Sequence, residues 1–228
     1  MNIETNKMQG YWNEFAKNLG AKPYGIETVW QWIVNAYSET HRRYHTLAHI
    51  DHCLWDFDWL RRGYSKESND AIEMSIWFHD IEYDTFAFDN EERSVKLARN
   101  ALGVLGIDDP LLKAKVSRLI LCTKHSSAPR EPITEEEDVF LDIDLAILGS
   151  APIEFSQFEA DIRKEYEWVP SEIYCTKRAE ILQSFLDRPK IYNTIQLRSV
   201  YEESARTNLT RAIHALKAQT VRAQQGFL

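Results

Sequence analysis

Glycine, proline and long hydrophobic runs are scarce in this sequence. Its 228 residues include 8 glycines and 7 prolines, too few for the many tight turns of an all-β fold. Its apolar runs fall short of the roughly eighteen residues that cross a bilayer, so no membrane association is expected. Residues 1–10 hold no basic stretch followed by an apolar one, so no secretory signal is expected.

Cysteine and basic charge are also scarce. The three cysteines, Cys53, Cys122 and Cys175, are scattered and odd in number, which argues against a disulfide framework and predicts a cytoplasmic location. The net charge of −8 argues against a nucleic-acid polymer or a membrane surface as partner, because such binders need a basic footprint.

Helical signals recur along the whole chain. Amphipathic segments lie at 11–20, 27–39, 41–62, 70–84, 90–106, 110–125, 135–149, 152–168, 171–187 and 198–224. Helix-starting residues precede four of them: Asp70 with Glu73, Asp89 with Glu92, Asp109 before Pro110, and Thr134 with Glu137. The sequence therefore predicts an all-α fold, a single-domain helical bundle of about eight to ten helices spanning residues 1–228.

Four of the seven histidines fall within twelve residues, at His41, His45, His49 and His52. Their spacings of four, four and three follow the helical period. If this stretch is helical, the four imidazoles share one face, with His41 at the start of the helix.

Two further polar elements interrupt apolar segments. His79 and Asp80 end an apolar helical segment, and a carboxylate beside an imidazole is costly to bury unless it is paired or coordinated. Asp142 and Asp144 lie two residues apart in an apolar run, so they point to different sides of a helix. Asp144 shares its side with the stronger apolar stripe and is predicted to be the buried one; a surface position or an arginine partner remains an alternative.

Together these elements predict a metal site. His49, His79, Asp80 and Asp144 would supply two nitrogens and two oxygens from three helices. Such mixed ligation suits Mn, Fe, Co, Ni or Zn better than Ca, with Mg as a further option.

The ordered motifs resemble the HD-domain superfamily of metal-dependent phosphohydrolases, and more closely a bacterial group of predicted phosphohydrolases within it. They are YHxxxHI at 44–50, HDxxYD at 79–84, DNEExS at 89–94, DxDLAILG at 142–149, IRxEY at 162–166 and EESARTNL at 202–209. A TxxH element is present only loosely, as TKH at 123–125. The resemblance covers about residues 40–210.

The resemblance implies a helical HD-type domain and a role for each motif residue. It assigns the metal to His49, His79, Asp80 and Asp144. It places His52 beside the site, although the spacing of three residues from His49 would also allow His52 to be a ligand. In the related cyclic-nucleotide phosphodiesterases, the first histidine of a similar YHNxxH element protonates the leaving oxygen. By that similarity His45 is the general acid, although Thr46 stands where those enzymes have asparagine.

The implied activity is hydrolysis of a phosphoester by metal-activated water, with Asp80 as a ligand of the ion and either Asp80 or Asp144 holding that water. The expected partner is a small phosphorylated molecule or a nucleotide. Candidate phosphate contacts are Arg42, Arg43, Lys124 and His125. One ion per chain is expected, because binuclear HD proteins carry extra histidines between the HD pair and the last aspartate, where this chain has only His125; a second ion bridged by Asp80 stays open.

Three other classes of protein use histidine clusters of a similar kind. A zinc protease would need glutamate directly after the first histidine, where this chain has Thr46. An HD-type di-iron oxygenase would need more histidine ligands. A non-catalytic regulatory domain that keeps a metal or another ligand remains an alternative.

Overall fold

The computed structural model describes the backbone of residues 3–124 and 134–225, and the side chains of 5–124 and 134–220. Within these residues the chain forms ten α-helices, two short 3₁₀ helices and no strand. The α-helices are α1 (Ile3–Asn18), α2 (Pro23–Tyr37), α3 (Leu47–Leu60), α4 (Lys66–Phe78), α5 (Asn90–Leu105), α6 (Pro110–Cys122), α7 (Glu135–Asp144), α8 (Pro152–Glu165), α9 (Ser171–Leu186) and α10 (Ile195–Gln225). The all-α class and the number of helices are confirmed.

The chain divides into two compact units, Met1–Leu141 and Asp142–Leu228. The boundary falls inside α7, which is one continuous helix. The prediction of a single domain over residues 1–228 is not tested by this division and stays a prediction.

Helix α4 is the centre of the first unit. Every residue from 71 to 79 is buried, and α3, α5 and α6 all pack against this helix. A helix that is buried on all sides must be apolar nearly all round, which explains the run Met74, Ser75, Ile76, Trp77 and Phe78.

An aromatic cluster joins the N-terminal helices to α4. The ring of Trp77 lies edge-on to Trp12 at 5.6 Å and to Trp30 at 6.4 Å, and all three rings are fully buried. Edge-to-face contacts of this kind add to the stabilisation from buried area. They hold the C-terminal half of α4 in one position.

Three of the four predicted helix starts are confirmed in position and one differs. Asp89 is the N-cap residue of α5, although its side chain makes no capping hydrogen bond. The Asp109 carboxylate accepts hydrogen bonds from the backbone N–H of Leu111 and Leu112 at the start of α6, and Thr134 and Glu137 form a reciprocal capping box for α7. Helix α4, in contrast, begins at Lys66 after an N-cap at Ser65.

The predicted capping box of Asp70 and Glu73 is therefore wrong, because both residues lie inside α4. The serine hydroxyl of Ser65 accepts the Ser68 N–H at 3.2 Å and starts the helix one turn earlier.

The four histidines at 41–52 do not share a helical face, so that prediction is also wrong. Helix α3 begins at Leu47, because Thr46 is the N-cap and its hydroxyl accepts the N–H of Ala48 at 3.3 Å. His41 and His45 lie in the irregular segment before α3, whereas His49 and His52 lie on the helix.

In the second unit, α9 packs along α10, and α8 and α10 both contact the 3₁₀ turn at Ala146–Gly149. The amide of Asn208 donates to the backbone oxygens of Leu148 and Ser150, both at 3.0 Å. The Glu202 carboxylate accepts the N–H groups of Ile191 and Tyr192. Polar side chains of α10 thus hold the loop segments against this helix.

No helix in the described part of the chain combines the length and the hydrophobicity that crossing a membrane requires. Cys53, Cys122 and Cys175 are buried free thiols.

Glu73 predicts a measurable pH dependence of stability. Burial raises the pKa of its carboxyl from 4.5 to about 7, although Arg61 Nη2 lies 2.6 Å away and opposes the shift. The folded protein therefore binds a proton that the unfolded chain has lost, so Glu73 lowers the free energy of unfolding as the pH rises from 4.5 to 7. Relative to wild type, we expect Glu73→Gln to gain about 3 kcal/mol across that interval.

Urea unfolding followed by tryptophan fluorescence at several pH values measures this difference. Glu67→Gln is the matched control, because Glu67 is an exposed residue of α4 whose pKa is lowered by hydrogen bonds. A Glu73→Gln profile parallel to that of wild type would contradict the expectation.

Candidate metal centre

Four side chains predicted to bind a metal converge. One ligand atom from each of His49, His79, Asp80 and Asp144 lies within 4.8 Å of the other three. His49 comes from α3, His79 and Asp80 directly follow α4, and Asp144 is the last residue of α7. Among the side chains that the structure describes, this is the one group of three or more such ligands.

The two histidines are buried and the two carboxylates are partly exposed. The Nε2 atoms of His49 and His79 are 3.1 Å apart, and Asp80 Oδ2 lies 3.0 Å from His79 Nε2 and 3.7 Å from His49 Nε2. Ligands that share one ion at about 2.0–2.2 Å lie about 3–3.5 Å from each other. The cluster could therefore hold a metal ion.

A backbone hydrogen bond sets the orientation of His79. Its Nδ1 lies 3.0 Å from the carbonyl oxygen of Ile76, one turn earlier in α4. Because a carbonyl only accepts, the ring proton is on Nδ1, and Nε2 presents its lone pair to the cluster. The edge of this imidazole also meets the Phe140 ring at 5.6 Å and 90°.

The end of α4 favours a cation. The last four carbonyl groups of a helix lack intrahelical partners and carry partial negative charge. Here the carbonyls of Ser75 and Phe78 accept the N–H groups of His79 and Ile81, and that of Trp77 accepts the hydroxyl of Tyr37 at 3.1 Å. The cluster lies at this negative end, where a positive ion is stabilised.

His45, the predicted general acid, lies beside the cluster. Its ring stacks on Tyr83 at 4.0 Å, and its Nε2 is 3.9 Å from Asp80 Oδ2. The side chain of His45 is 17% exposed, against 2% for His49, so His45 meets solvent where His49 does not. Tyr44 packs against both rings, at 5.0 and 4.9 Å, a contact that sequence reasoning missed.

The other two histidines of the segment lie outside the cluster. His52 is paired with Asp56 at 3.5 Å and its side chain is 37% exposed. His41 Nε2 donates to the backbone oxygen of Tyr83 at 2.9 Å, which ties the segment before α3 to the loop after the HD pair.

The predicted phosphate contacts lie in different environments. Arg42 is buried, and its guanidinium donates to backbone oxygens of the HD turn. Arg43 is exposed and donates to Thr40 O at 2.8 Å. Lys124 donates to Glu92 at 2.5 Å and to Phe88 O at 3.0 Å, while His125 lies outside the described residues. Substrate binding by all four stays a prediction.

The acidic residues after the HD pair stabilise their own loop. Glu82 is paired with Arg93. Asp84 Oδ1 accepts the N–H of Phe86 at 2.9 Å, and the Asn90 side chain bonds both backbone groups of Asp84. These hydrogen bonds stabilise the loop after the HD pair, and Tyr83 of this loop stacks on His45.

The expected difference in burial between the two aspartates of α7 is reversed. Asp142 is fully buried, whereas Asp144 is partly exposed. The Asp142 carboxylate accepts four hydrogen bonds, from the backbone and side chains of Asn193 and Thr194, at 2.6 to 3.2 Å. These partners lie about fifty residues along the chain, so the helical stripe of α7 did not reveal them.

No protein-family model matches the chain, and no curated protein or solved structure matches it either.

Removal of the two aspartates of α7 should affect different properties: stability for Asp142 and metal binding for Asp144. Asp142→Ala should lower the free energy of unfolding by about 3 kcal/mol or more, because it leaves several partly buried donors of Asn193 and Thr194 without their acceptor. Asp144→Ala should cost less stability but abolish most of the thermal stabilisation that added Mn²⁺ gives the wild-type protein.

Thermal unfolding of both variants, with chelator and with Mn²⁺, measures the two effects. A full Mn²⁺ response in Asp144→Ala would contradict the assignment of Asp144 as a ligand.

Proposed function

We propose that the protein is a metal-dependent phosphohydrolase of the HD type, which cleaves a phosphoester bond of a small molecule or a nucleotide. The observation that carries this proposal is the convergence of two imidazoles and two carboxylates within 4.8 Å. The sequence order of these ligands, H…HD…D, supports the same class.

The donor set favours one divalent ion per chain. Imidazole and carboxylate ligands together suit Mn, Fe, Co, Ni or Zn, with Mg as a further option. Asp80 and Asp144 would balance the ion's charge of +2, and His49 and His79 would supply its nitrogen ligands. When bound at such a site, a divalent ion polarises a phosphoryl oxygen and lowers the pKa of a water molecule.

His45 is the proposed general acid. When an alkyl phosphoester is cleaved, the leaving group departs as an unstable alkoxide unless its oxygen is protonated. A positioned imidazole can supply that proton. The stack on Tyr83 at 4.0 Å fixes the plane of the His45 ring, and partial exposure leaves it accessible to a substrate.

The proposed substrate carries a phosphate that needs positive partners besides the ion. Arg43 is an exposed arginine three residues before Thr46 starts the turn into α3. The hydrogen bond with Glu92 raises the pKa of the Lys124 ammonium group, so this group stays positively charged. Among the described residues, these two cations are the candidates for phosphate contact.

Metal dependence and hydrolysis are tested together. We expect purified protein to contain a stoichiometric transition metal by elemental analysis and to hydrolyse at least one member of a panel of phosphomonoesters, phosphodiesters and nucleotides. Asp80→Ala should lower kcat/KM by at least about 100-fold, because it removes a metal ligand. Asp58→Ala is the control, since Asp58 is an exposed aspartate of α3 with a side chain 77% exposed.

Other outcomes identify the rival functions. Stoichiometric metal without turnover of any phosphoester would support a non-catalytic metal-binding or ligand-binding regulatory domain. Oxygen-dependent consumption of a polyol would support an HD-type oxygenase.

The role of His45 is tested by the leaving group. His45→Gln should slow hydrolysis of an alkyl phosphoester by about 10²- to 10⁴-fold, because the departing alkoxide then lacks its proton donor. The loss should be much smaller for the p-nitrophenyl ester of the same phosphate, whose leaving group is stable as an anion. Equal losses for both esters, measured as kcat, would refute the general-acid assignment.

A further inference from the structure

Arg42 is a buried arginine that joins two segments of the candidate site. Its side chain is fully buried. Nη1 donates to the backbone oxygens of Asp80 at 2.6 Å and His45 at 3.3 Å, and Nη2 donates to the backbone oxygen of Ile81 at 2.9 Å. One guanidinium thus binds both the turn that carries a metal ligand and the segment that carries the predicted proton donor.

Two tyrosines flank the same guanidinium. Its central carbon lies 5.1 Å from the Tyr37 ring and 5.5 Å from the Tyr83 ring. Tyr37 donates its hydroxyl to Trp77 O at the end of α4, and Tyr83 stacks on His45. Arg42 therefore lies between a ring anchored to α4 and the ring that orients His45.

A buried guanidinium is costly unless its N–H groups are satisfied. In Arg42 the remaining donor, Nε, binds Glu39 at 2.9 Å, so donors from all three nitrogens point at protein acceptors. This arrangement requires the planar fork of arginine, which the single ammonium group of lysine does not reproduce.

We propose that Arg42 is a positioning residue that fixes His45 relative to Asp80, rather than a contact to the phosphate. The inference rests on the proposed function, since it takes Asp80 as a metal ligand and His45 as the proton donor. Asp80 Oδ2 and His45 Nε2 are 3.9 Å apart, and the Arg42 fork ties together the backbones that carry them.

The second unit offers a matched control. Arg163 donates to the backbone oxygens of Tyr166 at 2.6 Å and Val169 at 3.1 Å, and lies over the Tyr174 ring at 4.5 Å. It makes the same kind of clamp on a turn that carries no proposed metal ligand. Arg163→Lys therefore reports the general cost of losing such a clamp.

The experiment compares Arg42→Lys with Arg163→Lys by hydrogen exchange and by Co²⁺ titration of metal-free protein. In Arg42→Lys we expect peptides covering 41–46 and 79–83 to lose protection together. We expect Co²⁺ affinity to fall by about 10- to 100-fold, as is typical when a group supporting a ligand is lost, with an altered Co²⁺ absorption spectrum. Arg163→Lys should leave both segments and the Co²⁺ affinity at wild-type values.

A kinetic measurement separates positioning from substrate contact. With a substrate found in the hydrolysis panel, positioning predicts that Arg42→Lys lowers kcat with KM within a few-fold of wild type. A raised KM at unchanged kcat would overturn the proposal in favour of a phosphate contact. Unchanged exchange and unchanged Co²⁺ affinity in a folded Arg42→Lys protein would also overturn it.

Hydrogen exchange of the wild-type protein covers the case in which Arg42→Lys does not fold. Segments 41–46 and 79–83 should then open as one unit, with the same dependence on low denaturant concentration. Independent opening would overturn the proposal. Failure of wild type to bind Co²⁺ would instead refute the proposed metal centre, and with it the assigned roles of Asp80 and His45, whatever the exchange result.

Discussion

The burial of the C-terminal half of α4 on every side is the constraint on which the candidate site depends. A helix that ends inside a core must satisfy its last carbonyl groups without water. In α4, one of these groups accepts the Nδ1–H of His79 and another accepts the hydroxyl of Tyr37. The same requirement that completes the helix therefore orients a candidate metal ligand, and the negative end of the helix favours a cation beside it.

The fold class and the candidate ligands His49, His79 and Asp80 could be predicted from the sequence because they follow from local patterns, whereas the choice of Asp144 rested on a burial that the structure reverses. Amphipathic periods mark helices, and polar residues inside apolar segments mark sites where burial needs a partner. Asp109 and Thr134 also cap their helices by accepting hydrogen bonds from backbone groups three residues further along the chain. Local chemistry of this kind is readable without knowing which segments meet.

What the sequence did not reveal depends on contacts between distant segments or on competing local signals. The burial of Asp142 is determined by Asn193 and Thr194, about fifty residues away. The spacing of the histidines at 41–52 suggested one helix, but the N-cap at Thr46 divides the segment. Arg42 looked like a phosphate contact because arginine often binds phosphate, and only the folded chain shows that its donors point inward.

The candidate metal ligands and the proposed proton donor lie in different kinds of local structure. Helices, or residues directly following one, carry His49, His79, Asp80 and Asp144, which suits a site whose ligand separations must hold to a few tenths of an ångström. His45 and Tyr83 lie in irregular segments, and loops are where binding residues change most readily. The hydrogen bonds by which Arg42 links the two parts of the site all end on backbone oxygens. Since backbone oxygens survive substitution of the side chains, these loops can vary in sequence while His45, the proposed proton donor, keeps its place beside the candidate metal ligands.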